Sequence, residues 1–67
     1  MKIILNNEPL TIEGESITVE KLLEMKRYTF RMRTVRINGK IIGRDGYDTA
    51  MIQDGDDVKV IYLMSGG

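Results

Sequence analysis

Apolar and polar positions alternate from Lys2 to Asn6, with Ile3 and Leu5 on one side and Lys2 and Ile4 on the other, which predicts a half-buried strand. Asn6-Asn7-Glu8-Pro9 interrupts the pattern. Leu10 to Glu13 resumes it with Leu10 and Ile12 on one face, so the two segments predict an antiparallel hairpin that Gly14-Glu15-Ser16 brings to an end. The period then changes from two to about 3.6. Thr18 is a preferred N-cap type, Glu20 puts negative charge in the first turn, and Ile17 with Leu22 occupies the N′ and N4 positions of a hydrophobic staple. Val19, Leu22 and Leu23 continue as an apolar stripe, while Lys21 and Glu24 face water. The spacing predicts a helix of two turns or slightly more, fading after Met25, with Tyr28 and Phe30 tucking its exit against the core.

Alternation returns from Arg33 to Ile37, with Val35 and Ile37 opposite Thr34 and Arg36. Asn38-Gly39 predicts a type I′ hairpin turn, because both central residues of that turn need positive φ. Lys40-Ile41-Ile42 is the partner strand. Gly43 to Thr49 reads as loop, with Tyr47 pinned into the core, and Ile52-Gln53-Asp54-Gly55-Asp56 reads as a turn. Asp57 to Leu63 forms the last strand, with Val58, Val60 and Tyr62 on one side and Lys59, Ile61 and Leu63 on the other.

One helix must cover one face of the sheet, and Ile3, Leu5, Val35, Ile37, Val58 and Val60 supply that face. The layout is α+β: a ubiquitin-like β-grasp, with a mixed sheet of four to five strands packed against one main helix. The β-grasp domain is expected over residues 1–63 and a Gly-Gly tail over 64–67. If the first and last strands are central neighbours, Ile4, Ile61 and Leu63 share the opposite face near Lys2, Lys59 and Arg36. An apolar patch with a polar rim is the expected form of a docking surface.

Composition narrows the chemistry. The chain has 67 residues with no Cys and no His, which removes thiolate chemistry, the usual neutral-pH proton shuttle and the commonest zinc ligand. No metal site is expected, and no cofactor that stays bound. No apolar run approaches membrane-span length, so a cytoplasmic protein is the default expectation. Ten basic and ten acidic residues balance, but they are segregated: from Met25 to Gly43 every charged residue is basic (Lys26, Arg27, Arg31, Arg33, Arg36, Lys40). That run fits a face for an acidic protein or RNA, or a solvated face of long side chains. The aspartates Asp45, Asp48, Asp54, Asp56 and Asp57 fall in turns, where Asp caps backbone groups, and they form no catalytic constellation.

The remaining chemistry is at the end. Ser65-Gly66-Gly67 sets the main-chain carboxylate on a stalk without side chains, able to enter a narrow cleft. The carboxylate is ionised at neutral pH and is a poor acyl donor until something activates it.

The Thr18-Val19-x-x-Leu22-Leu23 helix entry, the Ile37-Asn38-Gly39 hairpin, the run Ile52-x-Asp54-Gly55-Asp56-x-Val58-x-Val60 and the terminal Gly66-Gly67 together resemble the ThiS family of sulfur carriers in thiamine biosynthesis. The resemblance covers nearly the whole chain. The stretch from Met25 to Thr34 and Ser65 depart from the family's pattern. The resemblance implies that an E1-like, ThiF-type adenylyltransferase docks on Ile4, Arg36, Ile61 and Leu63, threads Met64, Ser65 and Gly66, and adenylates the Gly67 carboxylate with ATP and magnesium. It further implies a sulfur donor, either a cysteine desulfurase or another persulfide, and a thiazole synthase that consumes the thiocarboxylate. The chain is then a protein co-substrate and no enzyme. A molybdopterin-type carrier resembling MoaD, a ubiquitin-like modifier and a β-grasp RNA-binding module stay open as alternatives, with nucleic acid the less expected partner.

Overall fold

The computed structural model describes residues 1–28 and 33–62. Along the chain it runs β1 (Lys2–Leu5), β2 (Glu8–Thr11), β3 (Ser16–Thr18), α1 (Val19–Met25), β4 (Arg33–Ile37), β5 (Lys40–Ile42), a 3-10 turn (Arg44–Gly46), β6 (Met51–Gln53) and β7 (Asp57–Tyr62). Among the described residues, five strands form one sheet in the order β2-β1-β7-β4-β5, and β3 pairs with β6 in a second. β1 and β7 are parallel neighbours, whereas the other pairs in the large sheet are antiparallel. The sheet is therefore mixed, as the β-grasp expectation requires.

Residues on one side of the large sheet pack under α1. Ile3, Leu22, Val19, Val35, Ile52 and Val58 are the most deeply buried, and Leu5, Leu23, Val60 and Tyr47 extend the cluster. The helix starts where its caps place it. Thr18 Oγ1 accepts from Lys21 N–H at 3.1 Å, while the N–H groups of Val19 and Glu20 donate to the carbonyls of Ala50 and Tyr47 at 3.1 and 2.8 Å. Three of the four donors that a helix start leaves without intrahelical partners are thus satisfied, and the same bonds hold the Tyr47 loop against the core.

The C-terminus of α1 closes as a Schellman motif: Tyr28 N–H donates to Leu23 O at 2.9 Å and Arg27 N–H to Glu24 O at 3.1 Å. Glycine is the usual residue at the left-handed position, but here it is Arg27, at φ 57°. A side chain in that conformation costs about 1 kcal/mol. Arg27→Gly is therefore expected to stabilise the fold by roughly 0.5–1 kcal/mol, read from the urea midpoint at unchanged m.

Three sequence expectations change. The first hairpin turns on Asn6-Asn7 alone, at φ 50° and 70°, and Glu8 and Pro9 belong to β2 rather than to the break. Pro9 is tolerated because β2 is an edge strand. Ile4 N–H points away from β2, to Asp56 O just before β7 at 3.0 Å, so the Ile4–Pro9 pair is the kind that exchanges no ladder bonds, and the missing N–H faces outward. Ser16–Thr18, read as the end of the hairpin and the helix lead-in, is strand β3. Met51–Gln53, read partly as turn, is its partner β6, in the register Ile17↔Ile52. That second sheet escaped the sequence reading. The expectations for Phe30 and Leu63 lie outside the described residues.

Candidate functional site

The last described residue, Tyr62, ends β7, the middle strand of the large sheet. The segment with the expected chemistry, Leu63 to Gly67, lies outside the described residues, so the structure bears on its root.

That root is held on both sides. On the β4 side the register runs from Ile37↔Val58 to Arg33↔Tyr62. On the β1 side the backbone ladder ends early, at Leu5↔Val58, because the chain turns away at Asn6. The Asn6 side chain continues the ladder: its Oδ1 accepts from Val60 N–H at 2.8 Å and its Nδ2 donates to Val60 O at 3.3 Å. Asn38 repeats the device on the other side, with Oδ1 accepting from Asp57 N–H at 2.9 Å and Nδ2 donating to Asp56 Oδ1 at 3.1 Å. Both asparagines sit at positive φ, 50° and 52°, which Asn tolerates better than most residues. Asn6-Asn7 and Asn38-Gly39 were visible in the sequence as turn formers, but nothing there showed that their amides reach β7.

The outer face of the sheet carries the residues expected to dock a partner. Ile4, at 37% exposure, and Ile61, at 49%, both lie on it, as does the exposed Arg36. They are not adjacent. Ile4 sits opposite Asp57 whereas Ile61 is four residues further along β7, a separation of about 13 Å at strand rise. Lys59 and Arg36, directly opposite each other on β7 and β4, occupy the row between. The register adds a residue that the sequence reading missed. Ile41 on β5 stands opposite Arg36 and is 60% exposed.

The basic run does not form one surface. Strand alternation sends Arg36 outward and Arg33 to the helix side, where its guanidinium lies 5.5 Å from the centre of the Tyr47 ring. Arg27 and Arg33 line a groove of about 750 Å³ with Leu23, Tyr28 and Tyr47, and the acids Glu20, Glu24, Asp45 and Asp48 also line it. Among the described residues no group of three or more His, Cys, Asp or Glu is placed to hold a metal ion, and no helix is long and apolar enough to cross a membrane.

Comparison with known proteins agrees with this geometry. Two of the solved structures that match cover the whole of this chain at 35% identity. One is the crystal structure of a thiamine biosynthesis protein (ThiS) from Geobacter metallireducens, which is also fully covered, with a TM-score of 0.87. The other is a solution structure of a thiamine biosynthesis protein from the same organism, covered over 88% of its length, with a TM-score of 0.80. No curated protein sequence matches. The family model for ThiS matches residues 3–67, from the first strand through the terminal glycine pair. With the fold, the strand order and the tail all within that match, the chain belongs to the ThiS family.

Proposed function

We propose that this chain is a sulfur carrier in thiamine biosynthesis, working through the carboxylate of Gly67. The observation that carries the reading is that the family match extends through residue 67, past the end of a central strand anchored from both flanks. A rigid sheet beneath a glycine-ended stalk suits a protein whose terminus is handed to another enzyme.

An E1-like, ThiF-type enzyme docks on the outer sheet face and draws in Met64 to Gly67. A Gly67 carboxylate oxygen attacks the α-phosphorus of ATP, the bond to the β-phosphate oxygen breaks, and magnesium pyrophosphate leaves. The acyl adenylate is a mixed anhydride, so its carbonyl is now open to attack. The terminal sulfur of a cysteine persulfide adds there and AMP departs, giving an acyl disulfide. A second thiol then attacks the donor cysteine sulfur, forms a disulfide with it and releases Gly67 as a thiocarboxylate. Glycine at both final positions keeps Cβ atoms away from the carbonyl under attack. Thiazole synthase is the consumer of that sulfur.

The test is to mix the chain with ATP, magnesium, the ThiF-type enzyme and a persulfide donor, then follow AMP release and the mass of the C-terminal peptide. AMP release together with the mass gain of one oxygen-to-sulfur exchange on that peptide is expected. Isopeptide products on lysines, with no such exchange, would instead make the chain a modifier. The docking face has its own check. Ile61→Asp should weaken binding to the ThiF-type enzyme while costing roughly 1–2 kcal/mol of stability, too little to unfold the domain, because Ile61 is half exposed. Unchanged affinity would remove Ile61 from the interface.

A further inference from the structure

Asn38 is fastened three times to the start of β7. Its N–H donates to Asp57 O at 2.7 Å, its Oδ1 accepts from Asp57 N–H at 2.9 Å, and its Nδ2 donates to Asp56 Oδ1 at 3.1 Å. The other oxygen of that carboxylate accepts from Gln53 N–H at 2.8 Å, which holds the acceptor in place. Gly39 follows at φ 83°, and among the described residues its N–H has no hydrogen-bond partner. Both residues are exposed, and there is open space where a Cβ on Gly39 would stand. Asn-Gly is the pair in which a backbone nitrogen most readily attacks the preceding side-chain amide, because glycine puts no Cβ beside the nucleophile. It occurs once in the chain. The two Asp-Gly pairs, open to the same ring closure, have their nitrogens engaged: Gly46 N–H donates to Gly43 O at 2.9 Å and Gly55 N–H to Lys2 O at 2.8 Å.

We propose that Asn38 is a covalent modification site, a deamidation site that the fold keeps closed by its bonds to Asp56 and Asp57 and that reacts when this turn opens. In the reaction the Gly39 nitrogen gives its proton to solvent and bonds to Asn38 Cγ, the Cγ–Nδ2 bond breaks, and ammonia leaves a succinimide behind. Water then adds to one of the two ring carbonyls. The ring opens to aspartate, or to isoaspartate with the backbone running through the side chain. Three features of the closed turn oppose ring formation. The ring needs a backbone angle at residue 38 that a type I′ turn does not provide. Cγ cannot swing toward the nitrogen without giving up both amide hydrogen bonds. The Asp56 carboxylate opposes the negative charge that develops on the nitrogen and the amide oxygen. Exposure alone predicts a fast site, whereas the hydrogen bonds predict a slow one. The product does not close the turn again. A carboxylate in place of the amide has no proton for Asp56 Oδ1 and sets two like charges at hydrogen-bond distance. Isoaspartate also adds a backbone atom to the two-residue turn that sets the β4–β5 register. Each chain that has opened here therefore keeps a permanent mark of it, with a weaker hold on the start of β7.

Ammonia release and peptide mass spectrometry follow the reaction in the full chain at neutral pH, folded and in guanidinium chloride. Modification of Asn38 is expected to be at least about tenfold slower in the folded chain, since the site reacts only from open states. Asp56→Ala removes the acceptor of Nδ2 and should speed the folded reaction about threefold or more. Leu10→Ala is the control: it thins the packing under β2, the edge strand on the other side of the sheet, and should melt lower while reacting at the parental rate. Asn38→Asp, which carries the charge of the product, should melt below the parent. Equal rates in the folded and denatured chain would overturn the proposal, as would a parental rate for a folded Asp56→Ala chain or reaction at Asn6 or Asn7 ahead of Asn38. A Leu10→Ala rate that rises as much as the Asp56→Ala rate would also overturn it, by making global unfolding the route. If Asp56→Ala does not fold, the comparison of folded and denatured parent, together with the Leu10→Ala rate, decides.

Discussion

Deleting Gly67 is expected to end AMP and pyrophosphate release in the presence of the ThiF-type enzyme, ATP and magnesium, while the melting temperature stays where it was. The two halves of that expectation have separate causes. Loss of one residue draws the terminal carboxylate back by about 3.5 Å along an extended chain. Reacting atoms must lie within roughly 3–3.5 Å of each other, and an error of 1 Å can already cost about a hundredfold in rate. Gly66 can supply a carboxylate of the same chemistry, so chemistry is not what is lost; reach is. Stability is unaffected because a terminal glycine has no side chain to bury, and the core cluster of the described residues already runs from Ile3 to Val60. Adenylation of the shortened chain at the parental rate would sink the carrier reading.

Leu22→Ala is expected to have the opposite profile, unfolding the chain without touching the chemistry of its terminus. Leu22 has no exposed surface and sits where the helix meets the sheet, one turn beyond the Thr18 cap. Truncating such a side chain costs about 2–5 kcal/mol, from lost transfer free energy and the cavity that remains. A chain of this length has a total stability of roughly 3–10 kcal/mol. The variant should therefore melt at least about 10 °C lower, at 4–8 °C per kcal/mol for a small domain, or fail to fold at all. Urea unfolding measures the cost directly. A cost below about 1 kcal/mol would mean that neighbouring side chains close the space left by the truncation.

The elements that the sequence made legible are those fixed by neighbours in the chain. The entry to α1 could be read because Ile17, Thr18, Glu20 and Leu22 act on one another within a single turn. The Asn38-Gly39 hairpin was legible for the same reason. The β3–β6 sheet was not, because its three-residue strands are separated by more than thirty positions and each has a local alternative. Ser16–Thr18 doubles as a helix approach, and Met51–Gln53 leads into an Asp-Gly turn. Pro9 misled because proline usually ends a strand, and only an edge position with its N–H side turned outward permits it. On the docking face, Ile4 and Ile61 followed from alternation, but their distance apart, and the presence of Ile41, depend on register. Register is a property of pairs of strands and is not visible in either one alone.

The two asparagine amides that grip β7 bear on what happens when the end of that strand is pulled. An enzyme that draws a C-terminal segment into its cleft applies force along the strand axis. β7 meets it with β1 parallel on one flank and β4 antiparallel on the other, so the bonds are loaded together in shear rather than peeled one at a time. Asn6 carries that resistance up to Val60, beyond where the β1 backbone stops contributing. Traction on the terminus is then transmitted to the body as a whole, and the handle can be worked without unravelling the domain that carries it.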